Sequence, residues 1–417
     1  TLVAPVFLDD RLLGYVACRA HHAEIGGIRP GSVPPDAKSL AEEGVVIPPT
    51  LILEAGEPRW ERVEQLLQDG PYPTRTLADN LADLRAMLAA ILRGCEALLG
   101  LANKVGFEHV LEHMDALRQQ AAWQVETVLD GMEDGRYEGR QLLDDGSLLV
   151  ATFTIKGNRA ILDFTGSADV HPGNLNATPA IVHSVSMYVM RLLVDVELPL
   201  NEGLLEPIEI RIPRGILNPG YEADPEHCPA VVGGNVETSQ RLTDTLLEAL
   251  SVAGCSLGTM NNLSFGDASF GYYETVGGGS GAVDGFDGAS GVHTHMTNTR
   301  ITDPEVIEHR YPVRLRRFAI RRGSGGKGRW RGGDGLVREI EFLAPLEFSI
   351  LSQHRVSAPY GMAGGGEGAV GRQVIVRADG SRTELEGIDG CEVGAGDRII
   401  LQTPGGGGWG LGSKDRS

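Results

Sequence analysis

The 417 residues carry 37 Lys and Arg against 56 Asp and Glu, a formal net charge of −19. That balance excludes a general polyanion-binding surface and with it nucleic acid as a partner. With 41% hydrophobic and 22% charged residues, the chain is globular and long enough to bury a substantial core in two or three domains. The cysteines Cys18, Cys95, Cys228, Cys255 and Cys391 stand singly, without a CxxC pair, which argues against a disulfide framework or a zinc ribbon and for a reduced, cytoplasmic setting. Residues 2–7 are too short and lack the basic flank for a signal peptide. The most apolar run, 180–194, is interrupted by His183 and Arg191, so no membrane span is expected.

In chain order, the β-rich runs 2–7 and 12–18 flank Leu8-Asp9-Asp10-Arg11 and predict a hairpin that delivers His21 and His22 just past its second strand. Residues 25–73 are rich in Pro and Gly and read as loop with short strands. Leu77, Leu81, Leu84, Leu88, Ile91, Leu92 and Cys95 then recur at helical spacing behind Thr76 and Asp79, which are placed as an N-terminal cap. A second helix is expected over 107–129, strands over 148–155 and 160–164, and further helices near 179–193 and 237–252. The final third accumulates glycine in GGGSG (277–281), GSGGKG (323–328), GGDG (332–335), AGGGEG (363–368) and PGGGG (404–408), between strand-like runs such as 338–343 and 398–401. Interleaved apolar strands exclude a disordered linker, so these glycines mark turns at positive φ or close backbone approach. The pattern predicts a mixed α/β (α+β), multi-layer fold with helical insertions. Its divisions are 1–73, a helical segment 74–131, a mixed α/β core 132–300 and a Gly-rich β region 301–417.

Several familiar chemistries fail on their companions. A phosphate-binding P-loop needs Ser or Thr after its lysine, but Lys327 precedes Gly328. Neither Ser280 nor Ser290 has the spacing of a nucleophile elbow. His109 and His113 share a helix face at i and i+4, yet Val110 stands where a metalloprotease places its glutamate, and two solvated surface histidines are the simpler account. The nine Arg and Lys residues between 309 and 331 partly alternate with apolar ones, as on a half-exposed strand, although Arg321, Arg322 or Lys327 can contact an anion.

Three segments stay open. In DGASGVHTHMTNTR (287–300), His293 and His295 point the same way if the run is a strand, with Asp287, Ser290, Thr297 and Asn298 around them, as a site or a buried hydrogen-bonded network. GGNVETSQR (233–241) sets Asn235 and Glu237 at a helix start, which is either an anion site or an ordinary cap. RAHHAEIGG (19–27) gathers two imidazoles and a carboxylate as if at the rim of a metal site.

Taken together, RAHHAEIGG, DFTGS (163–167) with GNLNAT (173–178), NEG (201–203), GGNVETSQR, GTMNN (258–262), YYETVGGG (272–279), DGASGVHTHMTNTR, GSGGKGRWRGGDG (323–335) and TPGGGGWG (403–410) resemble the hydantoinase B / 5-oxoprolinase family, in order from residue 1 to 410. The resemblance implies a B-type subunit working in a hetero-oligomer with a hydantoinase A-type subunit that binds ATP and phosphorylates the amide oxygen. Together they open a cyclic amide such as 5-oxoproline or a hydantoin. The alternatives are an acetone- or acetophenone-type carboxylase subunit and an inactive truncated scaffold. It further implies a divalent metal, Mn, Fe or Zn, with Mg accompanying ATP. The metal is held by an HxxD pair and by the residue matching His21, with His22 and Glu24 as neighbouring or substrate contacts. His293, His295 and Asp287 are then candidates for proton transfer, and Asn235 and Glu237 for substrate contact. No HxxD precedes residue 2, and the chain opens on Thr1 rather than methionine. On that reading 1–73 is the remainder of a metal-site domain whose other ligands lie upstream or on another chain.

Overall fold

Alternation over the first residues becomes an antiparallel hairpin of β1 (Leu2–Leu8) and β2 (Arg11–Cys18), turned by Asp9 and Asp10 at φ 48° and 63°. Both turn residues are in the left-handed region that a two-residue hairpin demands. The computed structural model describes residues 1–412. Beyond the hairpin come α1 (Leu40–Glu43), the short β3 (Leu53–Glu54) and β4 (Glu57–Pro58), and α2 (Trp60–Gln68). Helix α2 departs from the loop expected over 25–73. Trp60, Val63 and Leu67 carry helical spacing inside a Pro- and Gly-rich setting, and they pack on Leu81, Leu84 and Met87 of α3 (Leu77–Val105). Val6 and Leu13 of the hairpin meet Ala102 of α3 and Val110 of α4 (Phe107–Asp130).

Strands β5 (Gly135–Leu142), β6 (Leu148–Lys156) and β7 (Arg159–Asp163) follow as an antiparallel meander, after which comes α5 (Pro179–Leu193), capped by the Thr178 hydroxyl accepting from Ile181 N–H. Strand β8 (Ile208–Arg211) returns parallel to β7. Helix α6 (Ser239–Ala249) grows directly out of a π-helical turn over Gly234–Thr238. It lies so close over β5 that a Cβ at Gly139 would strike the Thr245 carbonyl. The main core joins Val125 and Leu129, Phe153 and Leu162, Val185 and Val189, and Leu242 and Leu246.

The remaining strands are β9 (Asn262–Gly266), β10 (Gly271–Glu274), β11 (Val313–Arg321), β12 (Gly335–Phe342), β13 (Leu346–Leu351), β14 (Arg372–Val376), β15 (Arg382–Leu385), β16 (Ile388–Val393) and β17 (Arg398–Gln402), with α7 (Pro304–Arg310) between β10 and β11. They build two sheets, ordered β10-β9-β13-β16 and β11-β12-β17-β14-β15. Leu263, Phe265, Phe348, Ile340, Ile375 and Ile399 from both sheets share one apolar core. A buried ion pair crosses it: Arg338 Nε and Nη2 donate to the two oxygens of Glu274 at 2.6 and 3.0 Å. Strands β9 and β10, grouped by sequence with the segment ending at 300, therefore belong to the C-terminal sheets, because β9 pairs with β13.

The glycine segments interlock by backbone hydrogen bonds, such as Gly333 N to Ser280 O and Gly406 N to Gly333 O, both 2.9 Å. The basic run is the edge strand β11, where Arg314 and Arg316 face Glu341. His109 and His113 stack at 5.7 Å on the exposed face of α4. Among the described residues no helix is long and apolar enough to cross a membrane.

Candidate functional site

Past Cys18 the chain leaves the hairpin, and RAHHAEIGG is held by its own glutamate. Glu24 is 2% exposed. Its Oε1 accepts from Gly26 N–H at 2.6 Å, its Oε2 from Gly31 N–H at 3.1 Å, and Arg75 donates to both oxygens at 3.3 Å. Gly26 and Gly27 sit at φ 89° and 92°, and a Cβ on either would enter backbone carbonyls of Tyr72 or Glu43. The Asn80 amide, at the start of α3, donates to the Glu24 carbonyl at 2.7 Å and stands 3.4 Å from His22 Nδ1. Glu24 therefore binds the loop and Arg75 rather than facing solvent.

The two imidazoles diverge. His22 turns inward, its Nδ1 3.1 Å from Asp83 Oδ2. His21 stands on the exposed side, and partial loss of hydration, followed by the Arg19 guanidinium, holds its pKa below the ordinary value. A neutral imidazole is a competent metal donor. Among the described residues, however, no group of three His, Cys, Asp or Glu converges as a metal site. His21 with the other described residues does not make one.

Where GGNVETSQR was open between an anion site and a cap, the preceding amides are already taken. Val231 and Val232 N–H both donate to Glu43 Oε1 at 2.8 Å, and burial pushes this carboxyl up to about 7. Gly233 and Gly234 let the turn press onto the 174–177 backbone. Asn235 is half-buried. Glu237 is fully buried, and its Oε1 accepts from Met260 N–H and the Asn262 amide.

The segment 287–300 is not a strand. It has a single bridge, Val292 to Gly278, followed by a turn with His295 at φ 52°. His293 and His295 therefore do not share a strand face. Asp287 is exposed and accepts from Arg331 N–H at 2.6 Å, and Ser290 accepts from Asp334 N–H at 2.8 Å. Both clip the glycine-rich loops. Half-buried, His293 has its pKa lowered by desolvation. His295 instead enters a polar cluster on α6: its Nδ1 is 3.2 Å from the Tyr188 hydroxyl, and its Nε2 is 3.4 Å from Asp244 Oδ1, which also takes Ser256 N–H at 3.0 Å. The Nε2 contact has ion-pair distance but lacks hydrogen-bond alignment.

Behind Asp244 lie Arg241, Asp144, His354 and Arg355. Ser357 receives Arg241 Nη1 at 3.4 Å, and Arg355 Nη2 donates to Asn261 Oδ1 at 2.7 Å. Burial, then Arg241, presses His354 well below its ordinary pKa, and burial lowers Arg355 to about 10. Sequence reasoning missed Tyr188, Arg241, Asp244, His354 and Arg355. The available signal was Glu237, Arg241 and Asp244 at i, i+4 and i+7 on an expected helix, a stripe that ordinarily reads as solvated but is here fully buried.

Residues 1–411 match the Hydantoinase B/oxoprolinase family. The chain is 43% identical to 5-oxoprolinase 1 of Arabidopsis thaliana and 40% identical to 5-oxoprolinase of Dictyostelium discoideum, covering 98% of itself in both and 34% and 32% of those proteins. It thus spans about a third of the length of these curated relatives. An uncharacterized protein of Methanocaldococcus jannaschii is 32% identical over 98% of this chain and 72% of its own length. Among solved structures, the ATP-dependent caprolactamase from Pseudomonas jessenii superposes with a TM-score of 0.85 at 25% identity, over 98% of this chain and 74% of that one. Acetone carboxylase in its nucleotide-free structure gives 0.86 at 17% identity, over 98% and 62%, a likeness of fold. With mixed α/β architecture and every quoted motif in place along its length, the chain belongs to the hydantoinase B/oxoprolinase family.

Proposed function

We propose that this chain is the B-type part of an ATP-dependent cyclic-amide hydrolase that opens 5-oxoproline or a hydantoin. The reading is carried by identity of about 40% to proteins named 5-oxoprolinase along 98% of the chain. Nucleotide binding is assigned to an A-type partner, as subunit or fused segment, which agrees with the lack of a P-loop lysine motif here. The assembly is then a cytoplasmic hetero-oligomer or a longer fused chain.

Within this reading, His21 is the donor this chain offers to a divalent metal, which would polarise a carbonyl or activate water. Because the described donors do not complete such a site, no step depends on it. His22 and Glu24 shape the loop that presents His21. His295 is the proton-transfer candidate with a polar partner at each ring nitrogen, whereas Asp287 and His293 have no such pairing.

The test is reconstitution with an A-type partner, followed by ATP hydrolysis with 5-oxoproline, hydantoin, and acetone plus bicarbonate. Ring opening coupled to ATP is expected with a cyclic amide. Turnover confined to acetone and bicarbonate replaces the hydrolase with a carboxylase. Unchanged activity after His21→Ala assigns the chain a scaffolding role.

A further inference from the structure

The polar cluster on α6 contains a sequence of contacts running from a buried carboxylate to a half-buried tyrosine. Asp244 is fully buried and fixed, its Oδ1 taking Ser256 N–H and its carbonyl taking the Tyr360 hydroxyl at 2.7 Å. His295 follows, 10% exposed, with Nε2 toward Asp244 and Nδ1 toward Tyr188. Its backbone is in the left-handed region at φ 52°, which a non-glycine residue keeps only where the surroundings impose it. Here the Gln240 amide of α6 holds the Thr294 carbonyl at 2.9 Å, and Met296 packs on the main core. The chain is anchored on both sides of the ring. Tyr188, on α5, meets the imidazole edge to face at 5.8 Å.

We propose that Tyr188, His295 and Asp244 form a proton relay for opening the cyclic amide, with Tyr188 as the group that touches substrate and Asp244 as a positioning residue. This rests on the hydrolase reading above. The chemistry follows from donor and acceptor roles. The Asp244 carboxylate, 3.4 Å from Nε2 at ion-pair distance without hydrogen-bond alignment, favours the tautomer protonated there by its charge alone, which leaves Nδ1 as acceptor for the Tyr188 O–H. This is the logic of a base oriented by a third group, with a phenol in place of the usual nucleophile. Burial, then Asp244, raises the Tyr188 pKa, so the hydroxyl keeps its proton at neutral pH and transfers one only as it receives another.

In the first half, the attacking water forms its O–C bond to the amide carbon and gives a proton to Tyr188 as Tyr188 passes its own to Nδ1. The imidazolium stands beside Asp244. In the second half the C–N bond breaks, its electron pair stays on nitrogen, and the proton returns through Tyr188 to that nitrogen. With the amide oxygen phosphorylated by the A-type partner, the oxygen of this water ends as the carbonyl of an acyl phosphate and both its protons end on the amine; a second water then releases phosphate and leaves the carboxylate. The other charged or titratable groups around the cluster are Arg241 from α6, Asp144, Cys255, His354, Arg355 and Tyr360 behind Asp244, and His293 on the same loop. Asp244 Oδ2, Gln240 Oε1 and Thr294 Oγ1 are buried without protein partners among the described residues, a polar surround of the kind that meets water or a polar ligand.

The test uses the complete assembly with Tyr188→Phe, His295→Gln and Asp244→Asn. Loss of a proton-transfer group predicts a kcat lower by about 100-fold or more for Tyr188→Phe, with KM within about threefold and an unchanged unfolding transition. Asp244→Asn, which removes the charge beside the imidazole, should lower kcat with KM within about threefold, as a positioning role requires. Independently of turnover, ¹⁵N-histidine NMR of the chain should find His295 protonated at Nε2 and neutral at Nδ1. Wild-type kcat in Tyr188→Phe, or a proton on Nδ1 in the wild type, overturns the relay. If the wild-type assembly opens no cyclic amide, the hydrolase reading falls, and the tautomer still decides for or against the relay.

Discussion

The Asn262 amide donates to Glu237 Oε1 at 2.6 Å, and the same oxygen takes Met260 N–H at 2.9 Å, while Oε2 meets no donor among the described residues. One oxygen is doubly satisfied and the other is buried bare, so desolvation wins and the carboxyl rises from 4.5 to about 7. A raised folded-state pKa contributes stability that is fully present below the unfolded value and is lost as pH climbs through the folded one, here between about 4.5 and 7. Glu237→Gln should flatten the stability–pH profile across that window. Above it, the variant should regain part of a cost on the order of 3 kcal/mol. Denaturant midpoints at pH 5 and pH 8 measure this, and identical pH slopes for both proteins would refute it.

Glu24 should behave as a structural carboxylate. Its removal leaves Gly26 and Gly31 amides and the Arg75 guanidinium without their shared acceptor. Breaking a buried pair by deleting one partner costs about 3–5 kcal/mol. Glu24→Ala should lose that much in guanidinium unfolding, and Glu24→Gln less, because the amide oxygen still accepts. A loss below about 1 kcal/mol for the alanine variant would return Glu24 to the list of free, ligand-facing groups.

Metal retention tests the geometry around His21 directly. With no three His, Cys, Asp or Glu converging among the described residues, the isolated 417-residue chain should keep well under one equivalent of Mn, Fe or Zn through gel filtration. Elemental analysis gives the answer. One tightly held equivalent, lost in His21→Ala, would show that residues 1–417 complete the site.

Local pattern made much of the fold legible. Leu81, Leu84 and Ile91 announced α3, and Asp9-Asp10 announced the first hairpin, because each signal lies within a few residues of its consequence. Strand β5, GRYEGRQL, was invisible because its outward residues are polar and its inward Gly139 serves α6 rather than an apolar core. The RAHHAEIGG motif was legible as a unit, yet a glutamate that holds backbone amides is spelled the same as one that holds a ligand. His295 was legible as a candidate, but its partners Tyr188 and Asp244 escaped for a different reason. Residues 188, 244 and 295 become neighbours only through the packing of α5, α6 and the loop after Val292, which no local spacing encodes.

Glycine in PGGGG is a packing requirement rather than a source of freedom. Gly407 N–H donates to Cys255 O at 2.7 Å, its carbonyl takes Ala282 N–H at 2.9 Å, and a Cβ would collide with the Tyr360 carbonyl. A backbone carbonyl locked in neighbouring glycine strands cannot yield. Gly407→Ala should therefore cost upwards of about 3 kcal/mol or prevent folding, well beyond ordinary propensity effects. Gly100→Ala supplies the contrast: it is helical, a Cβ there meets nothing within 4 Å, and the change should stabilise by about 0.5–1 kcal/mol. Equal effects at the two positions, measured by chemical denaturation, would remove the packing explanation.

The first hairpin is apolar on both faces. Val6 and Leu13 are covered by α3 and α4, but the opposite face sets Val3 against Ala17, Pro5 against Tyr15 and Phe7 against Leu12. Val3, Phe7 and Tyr15 are 60%, 53% and 64% exposed. A contiguous apolar patch on a two-stranded ribbon favours association over hydration. Sedimentation of the 417-residue chain should accordingly show concentration-dependent self-association. Val3→Lys with Tyr15→Lys should raise the monomer fraction while leaving the denaturant midpoint near that of the wild type, because neither side chain is packed. A monomeric wild type at the highest attainable concentration, or a double variant that associates equally well, would remove this face as the cause.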